Sequence, residues 1–401
     1  MTRGVLACVL CASILGPRPG ATVFAQQEPS QPQAVSAAEL KAAIDSLGNL
    51  DYNTRTNASR TVRRLPGAQA VPALIQTVSD HPDGYVRYRA LVLLTGFNDP
   101  RARDVMREAL ASPNDRLRTV AYSFFAHNPG RAPVPELVAA VEKELGEFVR
   151  PSLVRALAAL AATPGDDGAR VRQVLVREAG RGQDFFRTAV IEALGDFKAQ
   201  YAFETLTAIA KLDGPLQNDT AIALGKIGDK RALNVMAEMQ KTAPEASQPY
   251  VAAAICLLDV NCEKHQAFLV ETLKFADRNP GYQSNLRAAA AGLAAVAIAG
   301  HTEAIDALFA VGIPSRDSTR APVSLALAAI ALRRTPMMMT ILGAHPNRDA
   351  AVALMAEGFD ILEEDYEKER FFAFARRAYW DSSEDSPVRA LMRTLIGKLE
   401  F

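Results

Sequence analysis

Cys256 and Cys262 flank a single predicted turn in "CLLDVNC". In an oxidising compartment such a pair forms a disulfide; the other reading is two buried thiols. The spacing is not Cys-x-x-Cys, which argues against redox catalysis. The closed loop is small, so a bond there stabilises by about 2 kcal/mol, the low end of the usual range. Five histidines, His81, His127, His265, His301 and His345, fall in separate segments, mostly at predicted turns, where imidazoles are usually solvated. No shared metal site is expected from them. The run Met337, Met338 and Met339 could offer soft ligands, but consecutive helical residues point in different directions, and methionine fills core gaps well. The acidic run "EEDYEKER" (Glu363–Arg370) lacks the glycine-turned loop of a calcium site and reads as a solvated helix start. It leads into "FFAFARRAYW", the densest aromatic cluster. That segment is either a cap over the last open interface or a partner-binding patch built on Arg376, Arg377, Tyr379 and Trp380. Phosphate-binding glycine loops, a nucleophile elbow and a His-Glu-x-x-His motif are absent from the sequence. No catalytic, cofactor-binding or metal-binding residue is therefore expected.

The elements that hold these residues are helical. The 401 residues are 49% hydrophobic and 7% aromatic, and Ala and Leu dominate with few β-branched runs. The 45 basic side chains are balanced by 45 acidic ones, which argues against a nucleic-acid binder, since that role needs a basic surplus. Residues 1–25 read as a secretory signal: a basic start, an apolar run from Val5 to Leu15, and small residues up to a cleavage point after Ala25. The run is too short to span a bilayer, which takes about 20 residues. Neither Cys8 nor Cys11 has the surroundings of a lipidated cysteine. Residues 26–36 are polar, rich in Gln and Pro, and read as a flexible linker. The most apolar later stretch, Leu286–Gly300, is short, is bounded by Arg287 and His301, and reads as a buried helix.

"TAVIEALGDFKAQYAFETL" from Thr188 is echoed 32 residues on by "TAIALGKIGDKRALNVM". Each runs a small, apolar helix into a Gly-Asp turn. Similar units recur with an apolar-Arg anchor roughly 30 to 37 residues apart: Val86-Arg87, Leu117-Arg118, Val149-Arg150 and Phe186-Arg187, then Leu286-Arg287 and Val388-Arg389. Leu216-Gln217 and Tyr250-Val251 are degenerate members. Ahead of each anchor lies a second amphipathic stretch, such as "AVPALIQTVSD", with apolar residues at i, i+3, i+4 and i+7. Pro72 and Pro135 suit the first turn of such helices. An acid precedes each basic anchor by three or four positions: Asp51/Arg55, Asp83/Arg87, Asp115/Arg118, Glu147/Arg150, Asp184/Arg187, Asp317/Arg320 and Asp385/Arg389. An Asp there caps the second helix.

Helix, Asp-bearing turn, Val-Arg and small-residue helix together resemble the HEAT repeat, close to the short subtype of phycobilisome lyases. The resemblance spans nearly all of residues 37–401. It implies a right-handed α-solenoid of about eleven antiparallel helix pairs, with Asp83, Arg87, Asp115, Arg118, Glu147, Arg150, Asp184 and Arg187 stacking as a ladder between units. The clearest repeats are 71–229; those of 230–358 are degenerate, and 359–401 form an aromatic C-terminal cap. A lone pair cannot bury both of its apolar faces, so stability comes from stacked neighbours. The expected function is that of a secreted or periplasmic scaffold, a monomer without catalysis, binding a protein or peptide along an extended surface lined by the second helices. Arg89, Tyr122 and Arg155 are candidate contacts there. The alternative is a bilin-lyase-like or other enzyme-accessory protein, which the subtype resemblance implies.

Overall fold

Segments rich in alanine and leucine fold as helices throughout the residues described by the computed structural model, 32–212 and 214–401; the expected signal segment lies outside them. In chain order the helices are α1 (Ala37–Asp45), α2 (Tyr52–Arg63), α3 (Gly67–Asp80), α4 (Gly84–Thr95), α5 (Ala102–Ala109), α6 (Asp115–His127), α7 (Val134–Lys143), α8 (Arg150–Leu160), α9 (Asp166–Gly180), α10 (Asp184–Asp196) and α11 (Phe203–Ala210). There follow α12 (Leu216–Ile227), α13 (Leu233–Thr242), α14 (Gln248–Leu257), α15 (Cys262–Arg278), α16 (Gln283–Ala299), α17 (Glu303–Gly312), α18 (Asp317–Arg333), α19 (Thr335–Ala344), α20 (Arg348–Ile361), α21 (Asp365–Asp381) and α22 (Pro387–Leu399). No strand occurs among the described residues. Successive helices pair, giving an α-solenoid of antiparallel pairs.

The even-numbered helices form the inner layer. From α6 to α20 each packs closely on the next, whereas the odd-numbered helices touch one another sparsely. Small residues set this spacing. A Cβ on Gly195 would lie 2.7 Å from the Ala223 backbone, and one on Gly225 would lie 2.8 Å from that of Ala254. These two glycines are the corresponding positions of the duplicated "ALG", so the repetition in sequence is a repeated close approach of α10 to α12 and α12 to α14. The Gly-Asp turns themselves differ. Gly195 and Asp196 lie in the last turn of α10, while Gly228 is left-handed at φ +82° and Asp229 caps the turn that follows.

The expected acid-base ladder has a different construction. Asp51 and Asp83 do cap α2 and α4, accepting from the amides of Thr54 (2.8 Å) and Tyr85 (2.7 Å). The arginines, however, mainly turn back onto the carbonyl end of the first helix in their own pair. Arg87 donates to Val78 O, Arg187 to Ala179 O, Arg320 to Ile313 O and Arg389 to Ser382 O. Arg118 reaches Ser112 O and also pairs with Asp115 and with Glu144 of the next unit. Each satisfies carbonyls that the helix itself leaves open, at the negative end of its dipole. Neutral glutamines do the same work in the degenerate pairs: Gln217 donates to Ala210 O and Gln248 to Ala243 O. The anchor read at Tyr250-Val251 is thus supplied by Gln248. Arg150 is an exception, lying 4.1 Å above the Phe186 ring of the following pair. Glu147 is exposed and stands apart from it.

Two other expectations change. α3 begins at Gly67, so Pro72 sits in its second turn, on the solvent side, where water can take the carbonyl its ring leaves unpaired. Pro135 is in the first turn of α7, as its missing amide favours. The end of the segment read as a linker is anchored: Gln69 holds Val35 through both its amide and its carbonyl, and Gln33 N donates to Arg64 O. Met338 and Met339 are buried between helices, and α16, which carries most of the apolar stretch Leu286–Gly300, is largely buried by its neighbours. No helix among the described residues is long and apolar enough to cross a membrane.

If the arginines act as carbonyl clamps rather than as charges, Arg187→Gln should retain most of the stability. Arg187→Met should cost about 1–2 kcal/mol, the worth of a charge-assisted hydrogen bond. Urea midpoints of the two variants measure the difference; equal losses would contradict the clamp.

Candidate binding surface

The inner layer does not form an open groove. α21 lies across it, packed on α4, α6, α18 and α22, so that the eleventh pair meets the first three. The contact is made by the acidic run that the sequence suggested would be solvated. Glu369 receives Arg63 through Nε and Nη2 at 2.8–3.0 Å, with the two side chains only 1% and 6% exposed. Asp365, one turn earlier on the same face, pairs with Arg89 at 2.9 Å and accepts a short hydrogen bond from the Tyr88 hydroxyl. Glu367 turns the other way to His127 on α6 (2.6 Å) and to Arg370 (2.9 Å), and His127 stacks on Tyr366. Glu364 holds Arg333 from α18 at 2.5 and 2.9 Å. Gly96 makes room for the closure, since a Cβ there would stand 2.8 Å from Glu369 Oε1.

The charge balance of this contact favours ionised carboxylates. Burial raises Glu367, but the hydrogen bond from His127 and the nearby Arg370 and Arg333 outweigh it and hold the carboxyl at about 2. Burial likewise opposes ionisation of Asp365, and Arg89, Tyr88 and Lys368 prevail, keeping it below the usual range. Burial pushes Arg376 down to about 10; its guanidinium donates a short hydrogen bond to the Arg63 carbonyl.

Most of the anticipated partner contacts are therefore engaged internally. Arg89 is bound to Asp365. Tyr122 is buried, its hydroxyl 3.5 Å from Glu144 and pushed up to about 12 chiefly by burial. Arg155 pairs with Asp196 at 2.6 Å, and Lys226 holds the other oxygen of that carboxylate at 2.6 Å. Tyr379 is fully buried, and Arg389 lies over both it and the half-buried Trp380. Arg377 alone among these side chains is exposed. Beside Asp196, Glu192 and Asp219 are raised first by burial. Split carboxyls of this kind serve acid-base chemistry in some sites, but here Asp196 is saturated by two cations and Asp219 accepts from Thr188 (3.1 Å).

Apolar surface is left uncovered on the edge formed by the turns within pairs, as it also is at Phe197, Leu212, Phe268 and Phe275. Leu50 and Tyr52 at the start of α2, Leu145 and Phe148 before α8, and Phe185 in α10 are all exposed, Leu145 by 88% and Phe148 by 78%. Phe148 and Phe185 meet edge to face at 6.4 Å across two pairs. A cleft of about 1050 Å³ opens beside this edge, lined among others by Tyr52, Arg55, Tyr85, Arg116, Phe148 and Glu363. Sequence reading passed over these residues because they fall in turns or in the first turn of a helix, ahead of its apolar period. The available signal was large apolar side chains in otherwise polar connections, as in "KELGEFVR".

Cys256 and Cys262 are joined by a disulfide across the α14–α15 turn. The histidines do not assemble: His81 faces Asp45 at 3.6 Å, His127 faces Glu367, and His345 packs on Phe309. His301 differs, because its ring lies 3.7 Å from Cys262 Sγ.

Residues 40–126, a stretch that runs from α1 into α6, are similar to the HEAT repeats family. No curated protein matches the chain. Among solved structures, YibA of Escherichia coli is 16% identical with a TM-score of 0.40, covering 56% of this chain and 82% of that one. Importin beta is 14% identical with a TM-score of 0.41, over 90% of this chain and 55% of that one. A Kap121p mutant is 12% identical with a TM-score of 0.33, over 92% and 46%.

Removing one partner of the buried Arg63–Glu369 pair strands a charge, so Glu369→Ala should cost about 3–5 kcal/mol, measured as a lowered denaturation midpoint. Because Glu367 sits below its ordinary 4.5, its contribution is complete above about pH 4.5 and is lost as pH falls towards 2. Acid titration followed by hydrogen exchange should therefore free α21 in that window before the central pairs open.

Proposed function

We propose that this protein is a non-catalytic binding scaffold that holds a protein or peptide partner on the turn edge of its first five helix pairs. The observation that carries this reading is the exposed apolar row Leu50, Tyr52, Leu145, Phe148 and Phe185. Aromatic side chains beside arginines are the composition of interface hot spots, and apolar residues gathered on one edge of a folded chain need a partner more than scattered ones do. Arg55 lies over Tyr52 at 5.7 Å and Arg116 over Tyr85 at 5.5 Å, which preorganises both planar groups at low entropic cost. The partner surface fitting this edge is apolar with acidic residues around it. α21 occupies the inner layer, so recognition belongs to the edge rather than to a long groove. The scaffold acts as a monomer outside the cytoplasm; the N-terminal basic-apolar segment and the Cys256–Cys262 bond support export.

Affinity capture from native envelope extract, with the chain and its Leu145→Ser/Phe148→Ser/Phe185→Ser variant as baits, tests the assignment. The expected result is a partner retained by the parent and lost, by about tenfold or more, with the triple variant. A partner held equally by both baits would remove the edge from the interface.

A further inference from the structure

Two cysteines six residues apart and a histidine 39 residues beyond the second converge at one end of α15. Cys256 closes α14, Cys262 opens α15, and His301 follows α16. Two left-handed residues, Asp259 at φ +57° and Asn261 at φ +46°, turn the chain so that the cysteines face one another. Gly300 at φ +124° redirects the chain after α16, and the His301 amide bonds back to Val296 O, which fixes the ring against Cys262. One donor atom from each of the three residues lies within 4.8 Å of the other two, and Cys262 Sγ stands 3.7 and 3.8 Å from the two imidazole nitrogens. Around a tetrahedral zinc with bonds of about 2.3 Å to sulfur and about 2.0 Å to nitrogen, a sulfur and a nitrogen are about 3.5 Å apart. The imidazole is thus already at ligand spacing from its sulfur.

The surroundings suit a cation. A cleft of about 510 Å³ opens onto Cys262 and His301; Glu263, Glu271 and Glu303 stand among its lining residues, and no lysine or arginine does. Glu271 also meets Lys274 at 3.0 Å, outside that lining. Cys256 is fully buried, which shields one side of the site, while Cys262 and His301 are half-exposed to the cleft, leaving a fourth position for water or a carboxylate. Cys262 is the first residue of a 17-residue helix, whose positive end favours a negative sulfur.

We propose that, once the Cys256–Cys262 bond is reduced, the two sulfurs and His301 form a three-ligand site for a thiophilic divalent cation such as zinc, so that disulfide and metal are alternative states of one locus. The exchange balances. A phosphine or dithiol supplies two electrons that break the S–S bond. With a phosphine, water gives its oxygen to phosphorus and its two protons to the sulfurs. The incoming M²⁺ then displaces those two protons and forms two metal–sulfur bonds and one metal–nitrogen bond.

Cobalt(II) reports such ligands directly, because thiolate coordination gives a near-ultraviolet charge-transfer band and tetrahedral geometry gives intense visible bands. Full-length Cys8→Ser/Cys11→Ser protein, whose remaining cysteines are Cys256 and Cys262, reduced with a phosphine and titrated with Co²⁺, should develop both, saturating at one ion per chain, while the oxidised protein should show neither. Cys256→Ser/Cys262→Ser should lose the charge-transfer band, and Cys262→Ser alone should weaken it by about half. His301→Ala, at a half-exposed position where the fold is retained by circular dichroism, should weaken binding by about 10-fold or more. Absence of the bands in the reduced protein would overturn the site, and undiminished Co²⁺ affinity in His301→Ala would remove the histidine from it.

Discussion

The distance between neighbouring inner helices governs everything else in this molecule. Gly195 against Ala223 and Gly225 against Ala254 bring backbones into contact where any larger side chain would hold them apart. The outer helices carry longer side chains and approach less closely. A stack that is tight on one face and loose on the other must curve. Each pair contributes a small rotation, and eleven of them bring the last pair round to the first.

Curvature alone would leave two ends near one another without fixing their register. That is settled by α21, whose carboxylates meet Arg63, Arg89, His127 and Arg333 from four different helices. Buried pairs of this kind add little net stability over a well-packed apolar contact, because desolvating two charges costs nearly what their attraction returns. Their value lies in discrimination: a shift of α21 by one residue would leave several charges buried and unpaired. Closure therefore depends on both devices, small residues to bend the stack and ion pairs to lock it.

Closure also redistributes what the surface can do. Inner-layer residues that would line a groove in an open stack, Arg89 among them, are spent on α21, while Leu50, Tyr52, Leu145, Phe148 and Phe185 stay exposed at the turn edge of the first five pairs. The Cys256, Cys262 and His301 locus belongs to pairs seven and eight, where the carbonyl clamp of pair seven is Gln248 and the sequence repeat is least regular. Irregularity there has a local cause: the turn between the cysteines uses left-handed Asp and Asn in place of the usual cap.

The sequence by itself determined the helices, their pairing and the need for stacked neighbours, because amphipathic periodicity, Asp caps and small residues act within one unit or between adjacent ones. The duplicated "ALG" was legible as a repeat, though its glycines, read as leading into a turn, are packing positions. Tertiary structure alone decided which charge meets which. Arg63 and Glu369 are 306 residues apart, and no local pattern in "EEDYEKER" distinguishes acids that face water from acids that face the arginines of another repeat. The same holds for His301 beside Cys262: separation along the chain hides it, and only the accumulated curvature and turn geometry bring the ring to the sulfur.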